Sequence, residues 1–185
     1  MLPKKLFHYS HNLAVSIRND YEYGLKPFAD GGTKPYGLWV SVEDYDDSQN
    51  WFSWCIAEEY EIPSLKYRHI VKLNKNAKIL WLSTNQEIID FSLKYTAHDP
   101  KEYAKLIAPR IRPNYIYSIN WNAIIEKYDG IIIAPYSWEC RLNPITSWYY
   151  GWDCASGCIW NTECIEIERD TTFEFQEQDM EKSES

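Results

Sequence analysis

Three side chains stand where the sequence would hold a chemical group in place: a carboxylate, a histidine and a tryptophan. Glu163 precedes Cys164-Ile165-Glu166-Ile167-Glu168, where acidic or small residues alternate with Ile at the period of a strand rather than a helix. A strand opening can present a side chain to a cleft from a rigid backbone, so Glu163 is a candidate catalytic carboxylate, suited to charge stabilisation or proton transfer. The same alternation also fits the solvent-facing acids of an edge strand. His8 lies in Leu6-Phe7-His8-Tyr9-Ser10, an apolar run that turns polar, where a histidine taken alone is more commonly a satisfied core residue. Trp39 belongs to Tyr36-Gly37-Leu38-Trp39-Val40-Ser41, a short apolar run entered through Gly37, which permits close approach by a ligand or another strand. Nine Trp and fifteen Tyr offer flat stacking surfaces for sugars, bases and nicotinamide rings, although most of them must fill a core.

These residues need elements to position them. Leu6 to Ser10 predicts a first strand, and residues 11 to 35, with Gly24, Pro27, Gly31, Gly32 and Pro35, predict a long loop with a short strand at Leu13 to Ile17. Ser48 predicts the cap of a helix over about 49 to 60 that carries Trp51, Trp54 and Cys55. Tyr67 to Leu73 and Ala77 to Leu82 predict two strands joined as a hairpin through Asn74-Lys75-Asn76. Thr84-Asn85-Gln86-Glu87 is a capping box for a helix to Tyr95, and a further helix is expected over Lys101 to Ile107 before Pro109 and Pro113. Asn120 caps another over Trp121 to Lys127, and Ile131 to Ala134 reads as a buried strand. Residues 135 to 157 read as a structured aromatic loop leading to the Glu163 strand.

At 185 residues the chain predicts one domain over 1–172, with an acidic tail over 173–185. Seven acidic residues but only Arg169 and Lys182 occur from Glu168 onward, which puts −5 of the formal charge of −8 there and leaves −3 for the rest. Neither part is a general binder of phosphate backbones. Five cysteines, an odd number without the dense spacing of a secreted scaffold, predict reduced thiols and a cytoplasmic location. No apolar run is long enough for a signal sequence or a membrane span, and no dinucleotide or P-loop glycine pattern occurs.

Taken together, Leu6-Phe7-His8-Tyr9-Ser10, Gly37-Leu38-Trp39-Val40-Ser41 and Asn161-Thr162-Glu163-Cys164-Ile165 resemble the three signature strands of the ADP-ribosyltransferase superfamily, in its histidine-tyrosine-glutamate branch. The resemblance covers the three motifs and about a fifth of the chain. It implies an α+β fold, a single domain with a split, mainly antiparallel sheet and flanking helices. It also implies a transferase that takes NAD as substrate, breaks the bond between nicotinamide and ribose, and passes ADP-ribose to a macromolecule, protein rather than nucleic acid. On the same basis Glu163 would bind the ribose 2′-hydroxyl and stabilise the developing cation, and His8 would hold the adenosine-side ribose. Trp39 would stack on nicotinamide, with Tyr9, Ser10, Gly37 and Ser41 completing the NAD site, and Tyr149, Tyr150 and Trp152 would belong to an acceptor-recognition loop. No metal is implied.

The family pattern is not followed throughout. Tyr9 stands where a glycine usually follows the histidine, Trp39 replaces the usual tyrosine, and Asn161 stands where arginine-specific members carry a second glutamate. A rival registration takes Glu166 and Glu168 as paired acids with Arg18 and Ser83-Thr84. Other readings are an NAD glycohydrolase using the same site, a non-enzymatic Trp-rich binding module, and a zinc site from Cys140, Cys154, Cys158 and Cys164. The last lacks the paired Cys-x2-Cys spacing of zinc knuckles.

Overall fold

Runs of Leu, Ile, Val and aromatic residues pair into one seven-stranded sheet in the computed structural model, which describes residues 2–15, 34–45, 49–97 and 118–175. The strands are β1 (Leu6–Ser10), β2 (Leu38–Val42), β3 (Tyr67–Leu73), β4 (Ile79–Leu82), β5 (Gly130–Ile133), β6 (Ser156–Ile159) and β7 (Ile165–Arg169). Across the sheet they run β4-β5-β6-β2-β1-β3-β7, antiparallel except where β4 lies beside β5. Helices α1 (Trp51–Ala57), α2 (Asn85–Tyr95), α3 (Trp121–Ile125) and α4 (Trp138–Arg141) lie in the connections, with 3-10 turns at Ile62–Leu65, Pro144–Gly151 and Thr162–Cys164. The chain is a single mixed α/β domain with a mostly antiparallel sheet.

Local chemistry accounts for several of these elements. Thr84 Oγ1 accepts from the Glu87 N–H and the Glu87 carboxylate accepts from the Thr84 N–H, so the capping box starts α2 as the sequence predicts. Ile88, Phe91 and Tyr95 follow at helical spacing and are buried. Phe91 meets the rings of Trp121 and Trp148 at 6.1 and 5.4 Å. The Trp148 indole N–H donates to Ser92 Oγ at 2.7 Å, so its polar edge is satisfied inside the core. Asn50 caps α1, which is shorter than the predicted helix over 49 to 60, and Asn120 caps α3.

Strand partners differ from the sequence expectation. Tyr67 to Leu73 and Ile79 to Leu82 do not form a hairpin: β3 pairs with β1 and β7, whereas β4 pairs with β5 on the opposite edge. Residues 135 to 157 contain α4 and a 3-10 turn, and β6 follows within the run read as loop. Leu13 and Ala14 lie in a bend, and the helix expected over 101 to 107 lies outside the described residues.

β5 and β6 are buried along their whole length, and the second depends on close approach. A Cβ on Gly157 would sit 2.8 Å from the Ile131 carbonyl oxygen and 2.8 Å from Ile132 Cγ1. A second, smaller apolar cluster of Tyr9, Cys55 and Leu65 gathers Phe7, Phe52, Phe173 and Phe175 around it. The body of the fold therefore continues past residue 172.

Candidate functional site

β1 and β2 begin as neighbours and then part. Leu6 pairs with Val42 and Phe7 with Ser41, but the ladder goes no further, although β1 runs on to Ser10 and β2 starts at Leu38. Each strand instead completes its hydrogen bonding on its outer side, β1 with β3 and β2 with β6. A cavity of about 410 Å³ opens at this parting, with Phe7, His8 and Tyr9 on one side and Trp39, Val40 and Ser41 on the other. Trp51, Tyr60, Lys34 and Asp153 complete much of its rim.

His8 bridges the parting. Its Nδ1–H donates to the Trp39 carbonyl at 2.9 Å, because a carbonyl only accepts. Burial lowers the imidazole pKa below 6.5, the nearby His69 ring adds to that, and the bond to Trp39 works the other way. His8 is therefore neutral at pH 7, with Nε2 carrying a lone pair to offer a hydroxyl donor.

Tyr9 and Ser41 have structural partners. The Tyr9 hydroxyl donates to Glu43 Oε1 at 2.7 Å, and Ser41 Oγ donates to the same oxygen at 3.3 Å while accepting from the Trp51 N–H at 3.1 Å. Burial, then the Glu43 charge, push the Tyr9 pKa upward, so Tyr9 stays a neutral donor. Tyr60 is held at the rim by a turn in which Glu59 and Glu61 take left-handed backbone angles of 52° and 49°. That conformation costs an ordinary side chain roughly 1 kcal/mol.

Two carboxylates line this cavity, Glu61 on the turn after Tyr60 and Asp153 just ahead of β6, and of the two Asp153 is the one paired with cations among the described residues. Lys34 Nζ lies 3.6 Å from Asp153 Oδ2 and 5.3 Å from the centre of the Trp39 ring, while Arg141 Nη1 lies 3.4 Å from Oδ1. Arg141 also donates to the Tyr136 hydroxyl at 2.7 Å, and Trp152 packs on Trp39 at 4.9 Å.

Glu163 is elsewhere. It is exposed on the 3-10 turn before β7, its carbonyl accepting from the Asn74 side chain at 3.1 Å, and it does not line the cavity. It therefore does not open the strand, which begins at Ile165, and that strand is the edge beside β3. Glu166 and Glu168 are exposed on β7, Thr84 is occupied in capping α2, and Arg18 lies outside the described residues.

Other expected site residues are also dispersed. Ser10 Oγ accepts from the Asn12 N–H at 3.0 Å and does not line the cavity, and the close approach at Gly37 is to β6, where a Cβ would be 2.5 Å from the Ile159 carbonyl oxygen. Tyr149 and Trp152 are fully buried and form core, not an acceptor surface; Tyr150 remains exposed.

Sequence reasoning missed Asp153, Lys34, Trp51 and Tyr60 as cavity residues. The available signal was Trp152-Asp153-Cys154, a carboxylate directly before a run of small residues, but Ser156-Gly157-Cys158-Ile159 lacks the alternation that announces a half-buried strand.

No protein-family model matches the chain, and no solved structure matches it. A D-alanine–D-alanine ligase from Wolbachia pipientis subsp. Culex pipiens (strain wPip) is similar, at 32% identity over 111 residues. The match takes in 58% of this chain and 33% of the ligase, so the chain spans about a third of the length of that curated relative. An overlap of that extent carries none of the ligase's chemistry to this site.

The five cysteines are free and buried, and burial raises the thiols, Cys55 and Cys154 to about 12 and Cys164 to about 11. No three His, Cys, Asp or Glu side chains converge among the described residues, so the four-cysteine zinc reading has no geometry there. No helix among the described residues is long and apolar enough to cross a membrane.

Proposed function

We propose that this chain binds NAD at the parting of β1 and β2 and transfers ADP-ribose to a macromolecule, with Asp153 in the role first expected of Glu163. The observation that carries the reading is the cavity at that parting, which His8 on β1, Trp39 on β2 and Asp153 just ahead of β6 all line. A histidine, an aromatic face and a carboxylate are the three kinds of group that the resemblance to ADP-ribosyltransferases implies, with Trp39 standing for the usual tyrosine.

In this reading His8 Nε2 accepts a hydrogen bond from a hydroxyl of the adenosine-side ribose, and Trp39 stacks on nicotinamide. The bond between ribose C1′ and the pyridinium nitrogen breaks, and its electron pair leaves with the nitrogen. Neutral nicotinamide departs and C1′ becomes oxocarbenium-like. Asp153 stabilises that positive charge, a lone pair of the acceptor forms the new bond to C1′, and the acceptor releases its proton to water. The acceptor, taken as a protein, meets exposed Tyr150 and Trp138, whose rings flank the Arg141 guanidinium at 4.9 and 5.8 Å.

The test uses NAD labelled on the adenylate phosphate, incubated with a cell lysate and wild-type, Asp153→Asn or Glu163→Gln protein. Wild type and Glu163→Gln are expected to label macromolecules and Asp153→Asn to lose at least about a hundredfold in rate. Intact NAD with wild type overturns the reaction, label lost only in Glu163→Gln overturns the assignment of Asp153, and nicotinamide release without label makes water the acceptor.

A further inference from the structure

Among the described residues, the ammonium of Lys34 lies against two that line the cavity. It stands 5.3 Å from the centre of the Trp39 ring and 3.6 Å from an Asp153 carboxylate oxygen. A ring face together with a carboxylate is a recognition pattern for positive charge, and an indole is the strongest aromatic partner a cation finds among side chains.

The two partners are better held than the lysine. Trp39 is packed against buried Trp152, and Asp153 is also tied to Arg141 at 3.4 Å. The backbone near Lys34 is anchored too, because the Pro35 carbonyl accepts from the Cys158 thiol at 3.7 Å. The lysine side chain itself is 40% exposed, and a solvent-facing ion pair on a long flexible stem contributes little and is easily exchanged for water.

We infer that Trp39 and Asp153 form a site for a flat organic cation and that Lys34 occupies this site until such a ligand displaces it. The inference deepens the NAD reading and rests on it for the choice of a pyridinium, the cationic ring of NAD before cleavage. A pyridinium lying on Trp39 would spread its charge over the indole face and approach the same carboxylate. Loss of that charge as the C1′–N bond breaks removes the attraction, so the site holds the substrate ring more tightly than the departing neutral one.

The experiment is a calorimetric titration of the whole chain with 1-methylnicotinamide, a pyridinium, and separately with uncharged nicotinamide. Wild type is expected to bind the cation more tightly than the neutral ring. Lys34→Met should bind the cation about fivefold to tenfold more tightly than wild type while changing little toward nicotinamide, since only the charged ligand competes with the lysine for both partners. Lys34→Gln, which keeps a polar chain, should show the same gain and guards against a folding defect in the first variant. Asp153→Asn should remove the preference for the cation.

Equal affinity of wild type for the two rings, or no gain for the cation in either Lys34 variant, overturns the inference. Cleavage plays no part in this titration. A protein that prefers the cation yet leaves NAD intact would overturn only the proposed reaction, and one that cleaves NAD without the Lys34 effect would overturn only the displacement.

Discussion

His8 is a residue whose protonation and geometry oppose each other in an informative way. The bond from Nδ1 to the Trp39 carbonyl favours the protonated ring, yet burial outweighs it and holds the pKa below the usual 6.5. As pH falls through 6.5, the unfolded chain takes up its proton first and the folded chain resists. His8 therefore contributes a loss of stability that grows from pH 7 downward and levels off below its folded pKa. Urea midpoints at pH 7.5 and pH 5.5 should show a smaller decline in His8→Gln than in wild type. An unchanged decline would mean that other groups carry it. The position of His8 was readable from the sequence as the polar end of an apolar strand, but its hydrogen bond was not, because the Trp39 carbonyl reaches it only where two strands separate.

Elements were legible in proportion to how local their causes are. α2 was legible because its cap and its buried stripe lie within one short segment, from Thr84 to Tyr95. The hairpin expected through Asn74-Lys75-Asn76 failed for the complementary reason: the turn residues are local, but β3 and β4 pair with strands distant in sequence. β6 was invisible because its small residues are buried on both faces, and it is the strand that brings Asp153 to the cavity. That smallness is required by the packing. Gly157→Ala would place a methyl against the Ile131 carbonyl and the side chain of Ile132, at distances no carbon tolerates. It should lower stability by about 2–4 kcal/mol, measured by urea unfolding, as β5 and β6 are pushed apart. A loss below about 0.5 kcal/mol would show that the ladder yields without strain.

At the scale of the molecule, Arg68 on β3 joins several parts of the chain. It donates to Asp170 Oδ2 from Nε at 3.0 Å and from Nη2 at 2.7 Å, reaches Glu43 at 3.6 Å, and lies 4.4 Å from the rings of both Phe7 and Phe173. Arg68→Lys keeps the charge but loses the flat fork and should cost about 1–2 kcal/mol, whereas Arg68→Met leaves buried Asp170 without its cation and should cost about 3 kcal/mol or more. Equal losses in the two variants, read from urea midpoints, would reduce Arg68 to its hydrocarbon stem. The mixed fold was legible in the order of the predicted elements and the mainly antiparallel sheet in the resemblance, while Asp153 as a cavity residue was not, since only the pairing of β2 with β6 brings it and Trp39 to the same cavity. The order of strands in the sheet has a consequence during synthesis. β2 is paired by β6, and β3 by β7, so strands made early wait for partners encoded far downstream. A nascent chain emerging from the ribosome carries open edges on β2 and β3 until β6 and β7 have been translated. Such a chain folds late and slowly, and its exposed early strands are where a chaperone would have most to protect.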